Sequence, residues 1–285
     1  MLFFYEMIGM GRFLAGLPGS EEFFVKEREM KAYKGYLIDL DGTMYRGEEK
    51  IEEASDFVKA LQEKGIPYLF VTNNSSRKPE QVADKLMSFD IPAVPEQVFT
   101  TSQATANFIY EQKSDASIYM IGEEGLQAAL VEKGFTFDDS NPDFVVMGID
   151  RDLTYEKLAT ACLAVRNGAT LISTNGDIAL PTERGMMPGN GSLTSVVAVS
   201  TETNPIFIGK PESIITEQAL KVIGTAKEET LMVGDNYDTD IMAGIQGGLD
   251  TLLVHTGVTT VTKLREYEVQ PTYVIHSLTE WKKKL

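Results

Sequence analysis

Four short polar clusters in this chain of 285 residues each follow an apolar run, and each is built from side chains that handle charge. Asp39-Leu40-Asp41-Gly42-Thr43 sets two carboxylates at i and i+2 after Gly35-Tyr36-Leu37-Ile38. Thr72-Asn73-Asn74-Ser75 is a run of small donors, and Gly209-Lys210-Pro211 pins one lysine between Gly and Pro. Gly234-Asp235-Asn236-Tyr237-Asp238-Thr239-Asp240 packs acidic and amide side chains ahead of a helical segment. Taken singly they are weak signals, because Asp, Asn and Gly also mark plain turns and helix caps. The lysine cluster is not a nucleotide phosphate loop: Pro211 stands where Ser or Thr is needed and Asn204 where the first Gly belongs. The last cluster is not a calcium loop, since a pattern begun at Asn236 puts Ile241 at the Gly position and Gly247 at the closing Glu. Together they suggest one chemistry. Few carboxylates with open positions suit magnesium, and a lysine with a hydroxyl donor complements a phosphoryl group.

Elements with the right direction are needed to bring distant clusters together. From Tyr33 the chain alternates short apolar runs with amphipathic segments, the pattern of an α/β fold with a parallel sheet. Strands are predicted over 35–38 and 67–71 and near 207–208, 231–233 and 252–254, with a helix carrying Ile51, Ala54, Val58 and Leu61 that ends at Gly65. A second series comprises strands at 117–121, 144–148 and 170–173 and helices near 124–133 and 154–167. The expected organisation is a core of 30–113 and 205–285 with an α/β domain inserted at 114–204. In open parallel sheets ligands bind at the carboxyl ends of the strands, where all four clusters fall.

The chain carries 42 acidic and 26 basic residues, a net charge of −16. Such an excess gives no general attraction to nucleic acid or to anionic membranes, so neither is expected as a partner. Cys162 is the only cysteine, which excludes an internal disulfide and fits a cytoplasmic protein. It lies in an apolar stretch and reads as a small buried hydrophobe; His255 and His276 have no metal-ligand spacing, and Trp281 is expected to pack the last helix. A homo-oligomer is compatible with the sequence, which sets no oligomeric state.

Residues 1–29 differ from the rest. Glu6 and Arg12 interrupt the apolar run, leaving neither a membrane span nor a secretory signal. Lys26-Glu27 can be encoded as a ribosome-binding sequence just ahead of Met30. Residues 1–29 are therefore expected to be a translated leader, with Met30 the true start.

The ordered set of four clusters resembles the haloacid dehalogenase superfamily of aspartate-nucleophile phosphatases, and within it the NagD-like and p-nitrophenyl phosphatase subfamily. The resemblance spans about 30–285, and the long gap between the second and third clusters matches that subfamily's inserted α/β cap. It implies a Rossmann-like core and Mg²⁺-dependent hydrolysis of a small phosphorylated metabolite through an aspartyl-phosphate. Asp39 would be the nucleophile, and Asp41 the acid that protonates the leaving oxygen and then the base that activates water. That double duty requires a raised carboxyl pKa, which neighbouring carboxylates would supply. Asp39, Asp235 and the carbonyl of Asp41 would hold the metal. Thr72, the Asn73 amide and Lys210 would meet the phosphoryl group, Asn236 and Thr239 would line the pocket floor, and Asp240 would support the metal or Lys210 from behind.

Thr174-Asn175-Gly176-Asp177 resembles a motif of the same subfamily's cap. The Gly- and Pro-rich stretch 175–191 reads as a loop facing the core, with Asn175, Asp177, Leu180 and Glu183 as candidate leaving-group contacts. Leu180 stands near a position where pyridoxal phosphatases of the subfamily carry His, which argues against that substrate. A sugar phosphate or nucleoside monophosphate is the expected class. The competing readings are a phosphate-binding or signalling protein phosphorylated on Asp39 without turnover, and a phosphotransferase or mutase.

Overall fold

The computed structural model describes residues 31–182 and 184–285. The leader reading and Glu183 fall outside the described residues. In chain order the strands are β1 (Gly35–Ile38), β2 (Tyr45–Arg46), β3 (Glu49–Lys50), β4 (Tyr68–Thr72) and β5 (Val98–Thr100). They continue as β6 (Ser117–Ile121), β7 (Thr136–Phe137), β8 (Phe144–Met147), β9 (Thr170–Ser173), β10 (Ala179–Thr182) and β11 (Gly185–Pro188). The last are β12 (Ile206–Phe207), β13 (Thr230–Gly234), β14 (Asp250–Val254) and β15 (Tyr273–Ile275).

Six strands form one parallel sheet in the order β15-β14-β13-β1-β4-β5. Every residue of β1, β4 and β13 is buried, as expected of central strands covered on both faces. Alternation along the strands builds two cores. Tyr36, Ile38, Phe70, Val233 and Val254 face one cluster, with Phe57 and Trp281. Leu37, Leu69, Val71 and Met232 face the other, which continues into Ile118, Val146 and Ile172 of a second sheet. That second sheet is also parallel, in the order β12-β9-β8-β6-β7. The shared apolar cluster joins the two, and Lys31–Leu285 make one compact unit.

The helices that follow strands do so with recognisable signals. Helix α1 (Glu52–Glu63) ends before Gly65 at φ 64°, and α2 (Pro79–Ser88) starts at a proline. Helix α3 (Thr101–Gln112) opens on a Thr100–Gln103 capping box. Helix α4 (Glu124–Glu132) follows β6, α5 (Tyr155–Arg166) follows β8 with Thr154 as its cap, and α6 (Asn190–Thr201) follows the β10–β11 hairpin. Among the described residues no helix is long and apolar enough to cross a membrane.

Two details depart from the sequence expectation. The strand ahead of Gly209, expected with the core series, is β12, and it pairs with β9 at the edge of the second sheet. Only two residues long and with Ile206 partly exposed, it has the composition of any short apolar run and nothing that names its partner. The stretch 175–191, read as a loop, contains the antiparallel hairpin β10–β11, with Leu180 opposite Met187. Its prolines and glycine are compatible with a two-stranded ribbon that has no buried central strand.

Candidate active site

Parallel strands put all their carboxyl ends on one edge. The chain leaves β1 toward β4 and β5 on one side, while β13, β14 and β15 lie on the other, so the order reverses between β1 and β13. That switch point is where a crevice opens in such sheets. Ile38 is in register with Val233, and the Asp39 N–H donates to the Val233 carbonyl at 2.9 Å. Asp39 and Asp235 are therefore carried to the same place by neighbouring strands.

The carboxylates of Asp39, Asp235 and Asp240 are buried, with oxygens all within 4.8 Å of one another. Lys210 reaches them from the segment after β12. Its buried ammonium donates to Asp39 Oδ1, to Asp240 Oδ1 at 2.8 Å and to the Val71 carbonyl at 3.2 Å, which uses its three N–H bonds. Asp240 stands in the short π-helical turn Tyr237–Ile241. Besides the lysine it accepts from Thr239 Oγ1 at 3.1 Å and from the Asn236 N–H at 3.0 Å. Its two oxygens are thus committed to holding Lys210 and the turn. Asp235 accepts from the Val258 N–H at 2.7 Å, and Thr43 Oγ1 lies 3.1 Å from Asp235 Oδ1 and 3.3 Å from Asp39 Oδ2.

The approach is tight enough to dictate residue type. Gly42 has φ 94°, and a Cβ there would sit 2.4 Å from the Asp235 carboxylate. A Cβ on Gly257 would sit 2.0 Å from it. Glycine alone lets both loops close on the acid.

Burial raises the Asp39 carboxyl well above the usual range, and repulsion from Asp240 adds to it against the pull of Lys210. Asp235 is pushed up to about 6, first by burial and then by Asp240. Burial works against the charge of Lys210, but the Asp240 and Asp39 carboxylates overcome it and hold its pKa above the ordinary lysine value. Three carboxylates against one ammonium leave an excess of buried negative charge. A hard dication with oxygen ligands fits that donor set and would relieve the excess.

Asp41 faces differently from Asp39. It is exposed, accepts weakly from the Gly47 N–H at 3.3 Å, and lines a cavity of about 180 Å³. Thr72, Asn73, Asn175, Asp177 and Leu180 line the same cavity, together with Tyr45, Ile149 and Arg151. Thr72 Oγ1 accepts from the Asn74 N–H at 3.1 Å and keeps its own O–H to donate. The Asn73 side-chain amide is spent on Asp177 Oδ1 at 3.2 Å and the Lys210 carbonyl at 2.9 Å, while its Oδ1 is buried without a partner. Asn175 returns the contact, donating to the Asn73 carbonyl at 2.8 Å. Burial raises the Asp177 carboxyl, and the Asn73 bond partly offsets it.

Asn236 and Thr239 brace Asp240 and the turn, and like Asp39, Asp235 and Lys210 they are not among the residues that line this cavity. Lys210 is buried with its three N–H bonds on Asp39, Asp240 and the Val71 carbonyl and has no donor to spare for a ligand. Sequence reasoning gave no role to Thr43 or to the Val258 N–H. Thr43 follows the nucleophile candidate by four residues, a spacing that carries a signal; Val258 carries none, since a backbone donor has no residue signature.

The discounted residues are placed as follows. Trp281 is buried against Tyr36, whose hydroxyl accepts from its indole at 3.2 Å. Cys162 is only partly buried, at the margin of the second sheet's core. The His255 and His276 rings lie 5.5 Å apart, and His255 Nδ1 pairs with the Thr259 carbonyl at 2.8 Å.

Comparison with known proteins fits this geometry to a family. The haloacid dehalogenase-like hydrolase model matches residues 36–136, and a second model of the same hydrolase type matches 207–281. These segments contain all four clusters. This chain belongs to the haloacid dehalogenase-like hydrolases. It is 69% identical over 252 residues to the 5′-nucleotidase YutF of Bacillus subtilis, covering 88% of this chain and 98% of the relative. It is 55% identical to the acid sugar phosphatase of Staphylococcus aureus, with 88% and 97% covered. The p-nitrophenyl phosphatase of Archaeoglobus fulgidus superposes with a TM-score of 0.85 at 33% identity, covering 90% of this chain and all of that one. The chain is a phosphatase of the NagD-like, capped branch.

Proposed function

We propose that the enzyme hydrolyses small phosphomonoesters, of the sugar phosphate or nucleoside monophosphate class, through an aspartyl-phosphate on Asp39. The observation that carries this reading is the buried Asp39–Lys210–Asp240 arrangement beside Asp235. Asp39 holds its carboxylate at the strand tip, where Lys210 orients one oxygen and Thr43 meets the other. The unligated lone pairs attack phosphorus, forming the O–P bond as the ester oxygen leaves. Asp41, exposed toward the cavity, supplies the proton to that oxygen and then takes one from the water that cleaves the acyl phosphate. Thr72 Oγ1 and the Asn73 backbone N–H hold the phosphoryl oxygens, and Lys210 acts on them by charge rather than by a bond.

Asp39, Asp235 and the Asp41 carbonyl would hold Mg²⁺, with Asp240 fixing Lys210 beside it. Bound there, the ion supplies charge neutralisation between the nucleophile and the phosphoryl oxygens. The segment 114–204 serves as the cap over a core of 30–113 and 205–285, and Asn175, Asp177 and Leu180 present the leaving-group side. A free Cys162 suits the reducing cytoplasm in which we place the enzyme.

The test is phosphate release with and without Mg²⁺ by wild type and Asp39→Asn. We expect release to need the ion and to fall at least about 10³-fold in the variant. Unchanged turnover in Asp39→Asn would refute the mechanism.

A further inference from the structure

The second sheet also has a carboxyl edge, and three of its strands send residues to the cavity region. After β9 come Asn175 and Asp177, and after β8 come Ile149 and Arg151; all four line the cavity. After the adjacent parallel strand β6 comes Glu123, which stands behind Arg151. Neighbouring parallel strands end side by side, so β6 and β8 bring Glu123 and Arg151 into contact. The Arg151 N–H donates to Glu123 Oε1 at 3.1 Å, and Arg151 Nη1 lies 2.8 Å and 2.7 Å from the two carboxylate oxygens. Among the described residues no acceptor meets Arg151 Nε or Nη2, and the side chain is 64% exposed.

Glu123 offsets the charge of Arg151 and holds it through its backbone N–H and Nη1, which leaves Nε and Nη2 as donors for a ligand with little net positive charge. Asp41 and Asp177 line the same cavity and disfavour a second anion, while Tyr45, Ile149 and Leu180 give apolar surface suited to C–H groups. Lys210, Asp39 and Asp240 are not among the residues that line this cavity.

We infer that Arg151 is a specificity-determining residue: held and neutralised by Glu123, it binds hydroxyls of a neutral polyol leaving group and does not welcome a second anionic group. This rests on the phosphomonoester reading above and narrows its substrate class. Glu123 touches no substrate; it is the positioning residue that holds Nη1 and offsets the guanidinium's charge.

Three probes separate the possibilities: glucose 6-phosphate, glucose 1,6-bisphosphate and phenyl phosphate, whose leaving group has no hydroxyl. Replacing Arg151→Met is expected to lower kcat/KM for glucose 6-phosphate about tenfold more than for phenyl phosphate, mainly through KM. Glu123→Gln keeps an acceptor for the Arg151 N–H but uncovers the charge. It is expected to raise the bisphosphate-to-monophosphate ratio of kcat/KM about fivefold or more. Addition of salt should erode that gain, a response that a purely structural role would not show.

Equal losses on all three probes in Arg151→Met would overturn the inference, as would an unmoved ratio in Glu123→Gln at unchanged melting temperature. Failure of the underlying reading looks different: wild type with Mg²⁺ would release no phosphate from any of the three.

Discussion

Thr43 shows how much of a site can hang on one hydroxyl. Asp39 and Asp235 come from strands nearly two hundred residues apart in sequence, and Thr43 Oγ1 lies within 3.3 Å of an oxygen of each. Its proton favours the ionised carboxylates that a cation needs, without competing for a coordination position. Residues that orient ligands in this way commonly change metal affinity about 10- to 100-fold when removed. Thr43→Val is therefore expected to weaken Mg²⁺ activation by at least about tenfold with little change in fold, measured by titrating the ion against phosphate release. The residue types at the strand tips were legible in the sequence because carboxylates, lysine and small donors at apolar strand ends are rare in combination. Their division of labour was not. Nothing in Gly209-Lys210-Pro211 says that the lysine will exhaust its three donors on Asp39, Asp240 and the Val71 carbonyl, or that Asn236 and Thr239 will brace Asp240.

Strands and loops were readable where periodicity and burial agree. The β1, β4, β13 and β14 strands each contain three or more consecutive apolar, buried residues (36–38, 68–71, 231–233 and 252–254), so their existence follows from composition. The β12 segment and the β10–β11 hairpin were not readable, because two residues give no period and an exposed ribbon needs no apolar face. The loop after β14 was equally silent, although it supplies the Val258 N–H to Asp235. This loop has a sharp requirement. In Gly257→Ala the new Cβ would meet Asp235 Oδ2 at 2.0 Å and Gly42 Cα at 2.9 Å, so either the carboxylate or the loop must shift. A displacement of about 1 Å at a catalytic group costs on the order of 10²-fold in rate. We expect Gly257→Ala to lose about that much turnover and about 1–3 kcal/mol of stability, read by kinetics and by thermal denaturation. Near wild-type turnover would show that the Asp235 carboxylate need not stay where the loop clamps it.

The molecule carries a net charge of −16 and still concentrates three buried carboxylates around one lysine. The folded-state pKa values of Asp39 and Asp235 lie above their ordinary values. The native protein therefore binds protons that the unfolded chain releases. Without a cation, this contribution destabilises the fold as pH rises from the ordinary carboxylate value through about 6. Lys210 runs the other way: its raised pKa contributes stability that is lost only in strong alkali. A divalent ion takes the place of the protons. Mg²⁺ is thus expected to raise the melting temperature more at about pH 8 than at about pH 5, by several degrees at saturation. An equal rise at both pH values would mean that these carboxylates are not where the ion binds. The acidic balance gives no attraction for a phosphate ester, so a local inversion of charge at the strand tips is what the substrate must find. The same charge leaves the leaving-group end of the cavity to hydroxyl recognition by the neutralised Arg151–Glu123 pair.

The most direct measurement is to quench wild-type enzyme in acid during turnover of a radiolabelled phosphomonoester with Mg²⁺ and map the bound label by peptide analysis. We expect an acid-stable, alkali-labile phosphoryl group on Asp39 that builds up before steady state and is absent from Asp39→Asn. Label on any other side chain, or full turnover with no label on the protein at any time, would contradict nucleophilic catalysis by Asp39.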